Sequence, residues 1–435
     1  MNLDPLTIGL LFSSVLILFI FSGVRVVYAA AAIGMLGMVN FIGWDAGLGL
    51  AGTIPHSKAV AYTLSVLPLF VLIGFMAYHA GITTGAFAAA RAWLGWLPGG
   101  MAIATVFASA GFAAVSGAST ATSAVFSRIA IPEMLKAGYD RRLSAGVVAA
   151  GGTLASLIPP SAMLVLYAII VEESVGKLLL AGFIPGILSA FIYLVLIVIM
   201  CVRNPKLGPA IETGGWAMRF KTLPGTTPIL AVVAILFSAV YFGWATPTEG
   251  GALGAFVVFI IAMFRRMTFE QFRGALLETA KLTAMIFSII WGILIFVRFL
   301  GYARIPDAFS AFITGLDYPP IVIMICILLA YAILGMFMDA IGMLLLTLPV
   351  VYPAVIALGY DPIWFGIIVV KMVEVCLITP PIGLNCYVVN GVRPDIPLSD
   401  IFRGIFPFFI ADVATVALFI AFPEIITWLP SQMLG

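Results

Sequence analysis

Hydrophobic positions along this chain run in long unbroken blocks, not in the alternation of a half-buried strand. Charge-free stretches such as 187–201, 256–264, 321–332 and 413–422 recur along its whole length. A helix needs roughly 20 apolar residues to cross a bilayer. On that measure the blocks predict crossings at 6–21, 24–41, 66–80, 142–171, 178–201, 228–242, 250–264, 282–300, 362–390 and 402–422. Two of these, 142–171 and 362–390, are too long for one helix, and each is interrupted by a proline pair. Two further apolar stretches, 101–134 and 321–356, are broken near their middles by small or polar residues and are expected to fold back as re-entrant hairpins.

Composition narrows the class further. Of 435 residues, 63% are apolar, and only 21 Lys and Arg and 19 Asp and Glu are present, far below the charge content of a water-soluble globule. An outer-membrane barrel is excluded by the absence of alternation. The net charge of +2 gives nucleic acid no electrostatic footing. Cys201, Cys326, Cys376 and Cys386 lie in or beside apolar segments without CxxC spacing and read as packing residues. Asp4 near the start, with no basic residue before Arg25, argues against a cleaved signal peptide. Lys136, Arg141 and Arg142, then Arg203, Lys206, Arg219 and Lys221, then Arg265, Arg266 and Arg273 form three basic clusters. The positive-inside rule puts all three in the cytoplasm and both termini outside, with Arg304 as an exception.

The chain repeats itself. IPEMLKAGYD (131–140) and YPAVIALGYD (352–361) share a proline and the Gly-Tyr-Asp ending at a spacing of 221 residues, and the same spacing aligns Pro159 and Pro160 with Pro380 and Pro381. Each half holds five crossings and one hairpin, and an odd number forces the second half to insert upside down. The expected fold is an all-α polytopic membrane protein of two inverted-topology repeats. The first would cover 1–202 and the second 228–435, joined by a cytoplasmic connector at 203–227. Inverted repeats with broken helices at mid-membrane are the sequence pointer to a secondary transporter's binding site.

Three elements carry chemistry. Each proline pair deletes two amide donors, so the helix must unwind. The freed carbonyls persist in a membrane only where protein or a polar cavity satisfies them. A hard cation does this through oxygen ligands, and a restarted helix from Ser161 or Ile382 aims its positive end at an anion; a structural kink is the alternative. The hydroxyl-rich run Ser116 to Ser123 around Gly117 suits cation or carboxylate contact, or equally close helix packing. At the equivalent place in the second half, Gly335 to Gly342 contains Asp339. This intramembrane acid is either a cation ligand or a cap bonded to backbone. Amphipathic stretches at 82–97 and 303–316 suit helices lying along the interface. Lys371 and Glu374 read as a structural i,i+3 pair; Glu249, Arg298 and Asp412 are left unassigned. His56 and His79 are the only histidines, and no HExxH, GxSxG or phosphate-loop pattern is present, so an enzyme is not expected.

These residues resemble the large membrane subunit of the tripartite ATP-independent periplasmic (TRAP) transporters over almost the whole chain. The resemblance rests on SGAST (116–120), IPEMLKAGYD, LIPPSAMLVLY (157–167), AGFIPG (181–186), ATPTEGGALG (245–254), GMFMDAIG (335–342) and ITPPIGLNCYV (378–388). Ala118 stands where the family often has serine, and Cys376 where it often has glycine. The resemblance implies an inner-membrane, sodium-coupled importer of carboxylates with an elevator-type motion. Its partners would be a small membrane subunit and a periplasmic substrate-binding protein, and its only cofactor the coupling sodium ions. It further implies cation sites at Ser116, Gly117, Ser119 and Pro159, and at Gly335, Asp339, Thr379 and Pro380. Substrate contact would fall to Thr120, Ser161 and Asn385. A self-sufficient ion-coupled anion carrier and a non-transporting membrane scaffold are the competing readings.

Overall fold

The computed structural model describes residues 4–59, 61–211 and 215–433. The extreme ends of both repeats and the middle of the expected connector therefore lie outside the described residues. The first half runs α1 (Pro5–Phe21), α2 (Val26–Ile42), α3 (Trp44–Ala59), α4 (Val66–His79), α5 (Ile82–Leu94), α6 (Gly100–Ser116), α7 (Ser119–Lys136), α8 (Arg141–Thr153), α9 (Ala162–Val171) and α10 (Val175–Arg203). A short α11 (Trp216–Thr222) follows. The second half then runs α12 (Thr227–Tyr241), α13 (Pro247–Phe264), α14 (Phe269–Tyr302), α15 (Ile305–Thr314), α16 (Pro320–Gly335), α17 (Ala340–Ala357), α18 (Pro362–Ile378), α19 (Leu384–Val392) and α20 (Leu398–Ala421), with α21 (Glu424–Ser431) at the end. No strand occurs among the described residues.

The spacing of 221 residues recurs in the helices. Helices α7 and α17 start at 119 and 340, and α8 and α18 at 141 and 362, each pair 221 apart. The matched aspartates do the same work: Asp140 and Asp361 cap α8 and α18 by accepting backbone N–H bonds, which satisfies otherwise orphaned first-turn donors. Just before them Gly138 and Gly359 adopt matching left-handed conformations at φ 82° and 86°. Both X-Pro bonds, Pro159–Pro160 and Pro380–Pro381, are cis.

Contacts between the halves show that they run antiparallel. The start of α8 lies beside the start of α20: Arg141 and Arg142 pair with Asp400 at 2.5 and 2.9 Å, and Gly146 lies against the Gly404 backbone. Reciprocally, the start of α18 meets the end of α9 and the start of α10, where Tyr167 donates to the Pro362 carbonyl at 2.8 Å and Gly366 packs on Tyr167 and Leu178. Helix α7 packs on α19 and α17 on α9; α2 packs on α14 and α13 on α4. Such exchange of partners is what a two-fold relation between inverted halves produces. Around this centre α1–α4 and α12–α14 form one layer, and α6–α10 with α16–α20 another. Helix α5 touches both α4 and α6, and α15 touches both α14 and α17, so the two expected amphipathic helices do link the layers.

Several boundaries differ from expectation. Helix α3 occupies a segment left unassigned between two expected crossings, because Gly47, Gly49, Gly52 and Pro55 disguise it. Helix α14 begins 13 residues before the expected crossing at 282; Thr268 and Gln271 form a reciprocal cap at its start, and Glu270, Arg273, Glu278 and Lys281 hide this charged beginning from a hydropathy reading. By length and composition, six helices among the described residues suffice to cross a membrane, or seven with the bent pair Trp216–Gly225 and Thr227–Tyr241. The other expected crossings are the 17-residue α1 and α2 and the two broken helices.

Candidate cation and substrate site

Both broken helices are interrupted where the proline pairs stand. Helix α8 passes through a tight turn at Leu154–Ser156 and restarts at Ala162, while α18 stops at Ile378 and α19 restarts at Leu384. Pro160 has no N–H to give the Ser156 carbonyl four residues back. The Ser161 hydroxyl takes that place, donating to Ser156 O and accepting from Leu164 N–H at 3.3 Å. Ser161, singled out for substrate contact, is thus fully buried and already bonded as the cap of α9.

The tip of the first hairpin closes on this break. Gly117 turns the chain between α6 and α7 at φ +58°, and a Cβ added there would lie 2.6 Å from the Pro160 carbonyl oxygen. Ser119 Oγ lies 2.8 Å from Ser156 Oγ, and Ser116 Oγ 3.1 Å from Thr122 Oγ1. Of the first-half cation candidates, Ser116, Gly117, Ser119 and Pro159 are therefore gathered in one place, with Thr120 half-buried in the first turn of α7. Asn385 reaches the same region from the other half, donating to the Ala149 carbonyl at 3.2 Å. Its Oδ1 is buried without a hydrogen-bond partner among the described residues.

The second hairpin meets its break across a cavity. Gly335, Met338, Asp339, Ala340 and Met343 line a cavity of about 200 Å³ with Val373, Cys376 and Leu377 of α18 and Ile382 and Leu384 beyond the break. Leu377 carries a carbonyl that Pro381 cannot serve, whereas the Cys376 carbonyl is taken by Thr379 N–H at 3.2 Å. Thr379 Oγ1 donates to Val375 O at 2.5 Å, which leaves its lone pairs free to accept. Asp339 is exposed at the hairpin tip and caps α17, accepting from Gly342 N–H at 2.9 Å. Its structural role is thus the cap, made through Oδ2. Pro380, Pro381 and Ile382 are exposed while Pro160 is buried. The second break is thus more open than the first.

A second cavity, about 180 Å³, lies between the layers. Helix α4 contributes Val71, Gly74, Phe75 and Tyr78, the first hairpin Ser116 and Arg128, and α14 Glu278 and Leu282. Arg128 escaped the sequence reading, although it is the one charged residue between Arg91 and Glu133. Glu278 pairs with His79 at 3.4 Å. Of the residues left unassigned, Glu249 forms the reciprocal cap of α13 with Thr246, and Asp412 joins Lys371 and Glu374. That pair is a three-membered cluster.

Residues 5–425 match the family described as tripartite ATP-independent periplasmic transporter, DctM component. The chain belongs to this family. It is 36% identical over 378 residues to the C4-dicarboxylate TRAP transporter large permease protein DctM of Pseudomonas aeruginosa, covering 86% of each chain. It is 29% identical to the sialic acid TRAP transporter large permease protein SiaM of Vibrio cholerae, over 86% of this chain and 87% of that one. Among solved structures, the YdaH transporter of Alcanivorax borkumensis superposes with a TM-score of 0.61 at 15% identity, covering 97% of this chain and 98% of that one; at that identity the likeness concerns the fold. The family is one of transporters, not enzymes, and the chain is a multi-pass membrane protein.

Proposed function

We propose that this large permease subunit imports organic carboxylates across the cytoplasmic membrane, driven by sodium and supplied by a periplasmic substrate-binding protein, with a small membrane subunit at its side. The observation that carries the reading is the pairing of each interrupted helix with a hairpin tip in antiparallel halves, which leaves main-chain and hydroxyl oxygens beside both breaks. Oxygen ligands of this kind suit a hard monovalent cation, and the restarted helices α9 and α19 aim their positive ends at an anion. The carboxylate class is supported by the substrates in the names of the two relatives.

In this scheme sodium would be held by Ser116, Gly117, Ser119 and Pro159 at the closed break, and by Gly335, Asp339, Thr379 and Pro380 at the open one. Thr120 and Asn385 would contact substrate, with Ser161 holding the break in shape. The first hairpin and α8–α9, with their second-half equivalents, would move as a block against α1–α4 and α12–α14. A tenfold sodium gradient supplies about 1.4 kcal/mol per ion, and each net charge moved inward gains about 2.3 kcal/mol per 100 mV. Proteoliposomes holding the permease and the small subunit, with loaded binding protein outside, are expected to accumulate carboxylate in external sodium and not in potassium. Equal uptake in potassium removes the coupling, and uptake by this chain alone removes the need for partners.

A further inference from the structure

Three helices bring one lysine, two carboxylates and a tyrosine together away from water. Lys371 and Glu374 stand one turn apart on α18, Asp412 comes from α20 and Tyr193 from α10. Lys371 Nζ lies 2.7 Å from Glu374 Oε2 and 2.8 Å from Asp412 Oδ1. Tyr193 donates its hydroxyl to the same Asp412 oxygen at 2.7 Å. All four side chains are 0% exposed. Glu374 Oε1 and Asp412 Oδ2 have no hydrogen-bond partner among the described residues.

One ammonium cannot neutralise two carboxylates, and a net charge sealed inside a membrane protein is strongly disfavoured. One more positive charge belongs here. Asp412 receives two donors on one oxygen, the surroundings of an ionised carboxylate. Glu374 receives only the ammonium. A metal ion is disfavoured because Lys371 already occupies the space between the two carboxylates and would repel it. A proton needs no room and turns Glu374 Oε1 from a stranded acceptor into a hydroxyl.

We propose that Lys371, Glu374 and Asp412 form a proton-binding site separate from the two helix breaks, with the proton on Glu374 Oε1. Of the elements packed around α18, α20 presents Asp412 to this glutamate and α10 presents Tyr193. The ionisable groups on other neighbours bond elsewhere: Tyr167 of α9 to Pro362, Tyr331 of α16 to Thr347 and Cys386 of α19 to the Ile378 carbonyl. Glu374 precedes Thr379 by five residues, about 7.5 Å along a helix axis. The proton therefore sets the charge close to the open break, whichever ion that break holds.

Infrared spectra of the purified, assembled transporter at neutral pH test this directly. A protonated-carboxyl stretch that shifts in heavy water is expected in the wild type. It is lost in Glu374→Gln, which keeps the shape of the neutral acid, and retained in Asp339→Asn. It is also lost in Asp412→Asn, where Glu374 ionises to balance Lys371. No such band in the wild type, its persistence in Glu374→Gln or Asp412→Asn, or its loss in Asp339→Asn overturns the proposal. The wild-type and Glu374→Gln spectra decide on their own if Asp412→Asn fails to fold.

Discussion

Gly117 carries two requirements at one position. Its φ of +58° costs an L-residue roughly 1–2 kcal/mol, and a Cβ would press on the Pro160 carbonyl. Gly117→Ala is therefore expected to lower thermal stability by about 2 kcal/mol or more, read from melting in detergent, and to separate the hairpin tip from the break. Asp339 allows its two possible roles to be separated. Asparagine caps a helix about as well as aspartate, whereas alanine loses about 1 kcal/mol of capping. Asp339→Asn should leave the melting temperature nearly unchanged while weakening the sodium dependence of uptake at least about tenfold, or about 1.4 kcal/mol. Unchanged sodium dependence in a stable Asp339→Asn protein reduces this aspartate to a cap. The sequence revealed Asp339 through its isolation in an apolar stretch, but whether its side chain caps or ligates depends on the turn geometry of residues 336–339, which hydropathy does not encode.

Between elements, the contact of the second hairpin with α18 depends on a single small residue. The Cys376 sulfur sits where a Cβ on Gly335 would be, 1.9 Å away, and its thiol points to the Tyr331 carbonyl at 3.6 Å. Gly335→Ala is expected to destabilise the protein by about 1–3 kcal/mol through overpacking. Adding Cys376→Gly should restore most of that loss, and a double-mutant cycle measures the coupling. Additive effects would mean that the two helices do not touch as described. The proline pairs, both hairpins and the amphipathic pair were legible because each interrupts or tilts a hydrophobic pattern locally. Helix α3 was not, since its glycines imitate a loop. The cluster of Lys371, Glu374, Asp412 and Tyr193 was only half visible, because its members join across 219 residues of chain in the case of Tyr193 and Asp412.

Over the whole molecule, the inverted halves are joined where α8 and α20 approach backbone to backbone. A Cβ on Gly404 would fall 2.0 Å from the Arg142 carbonyl oxygen, and one on Gly146 2.4 Å from Gly404. Small residues allow such approach, and close packing is a main source of helix association in lipid. Gly404→Ala is expected to cost about 1–3 kcal/mol, measured as a fall in melting temperature with loss of the Arg142–Asp400 pair. The repeat was legible from six identities at one spacing, and its inversion from the odd number of crossings in each half. The greater exposure of the second break was not, because both proline motifs are consistent with a buried or an exposed break.

Helix α14, at 34 residues, is about 51 Å long against roughly 30 Å of hydrocarbon. Its first 13 residues carry the charges that such a length leaves in excess of the span, and Glu278 among them lines the same cavity as Arg128. Any shift of the first hairpin along this rod alters the spacing of an anion and a cation. In the proposed import cycle, the vestibule's pull on an anionic substrate would then change with every such shift.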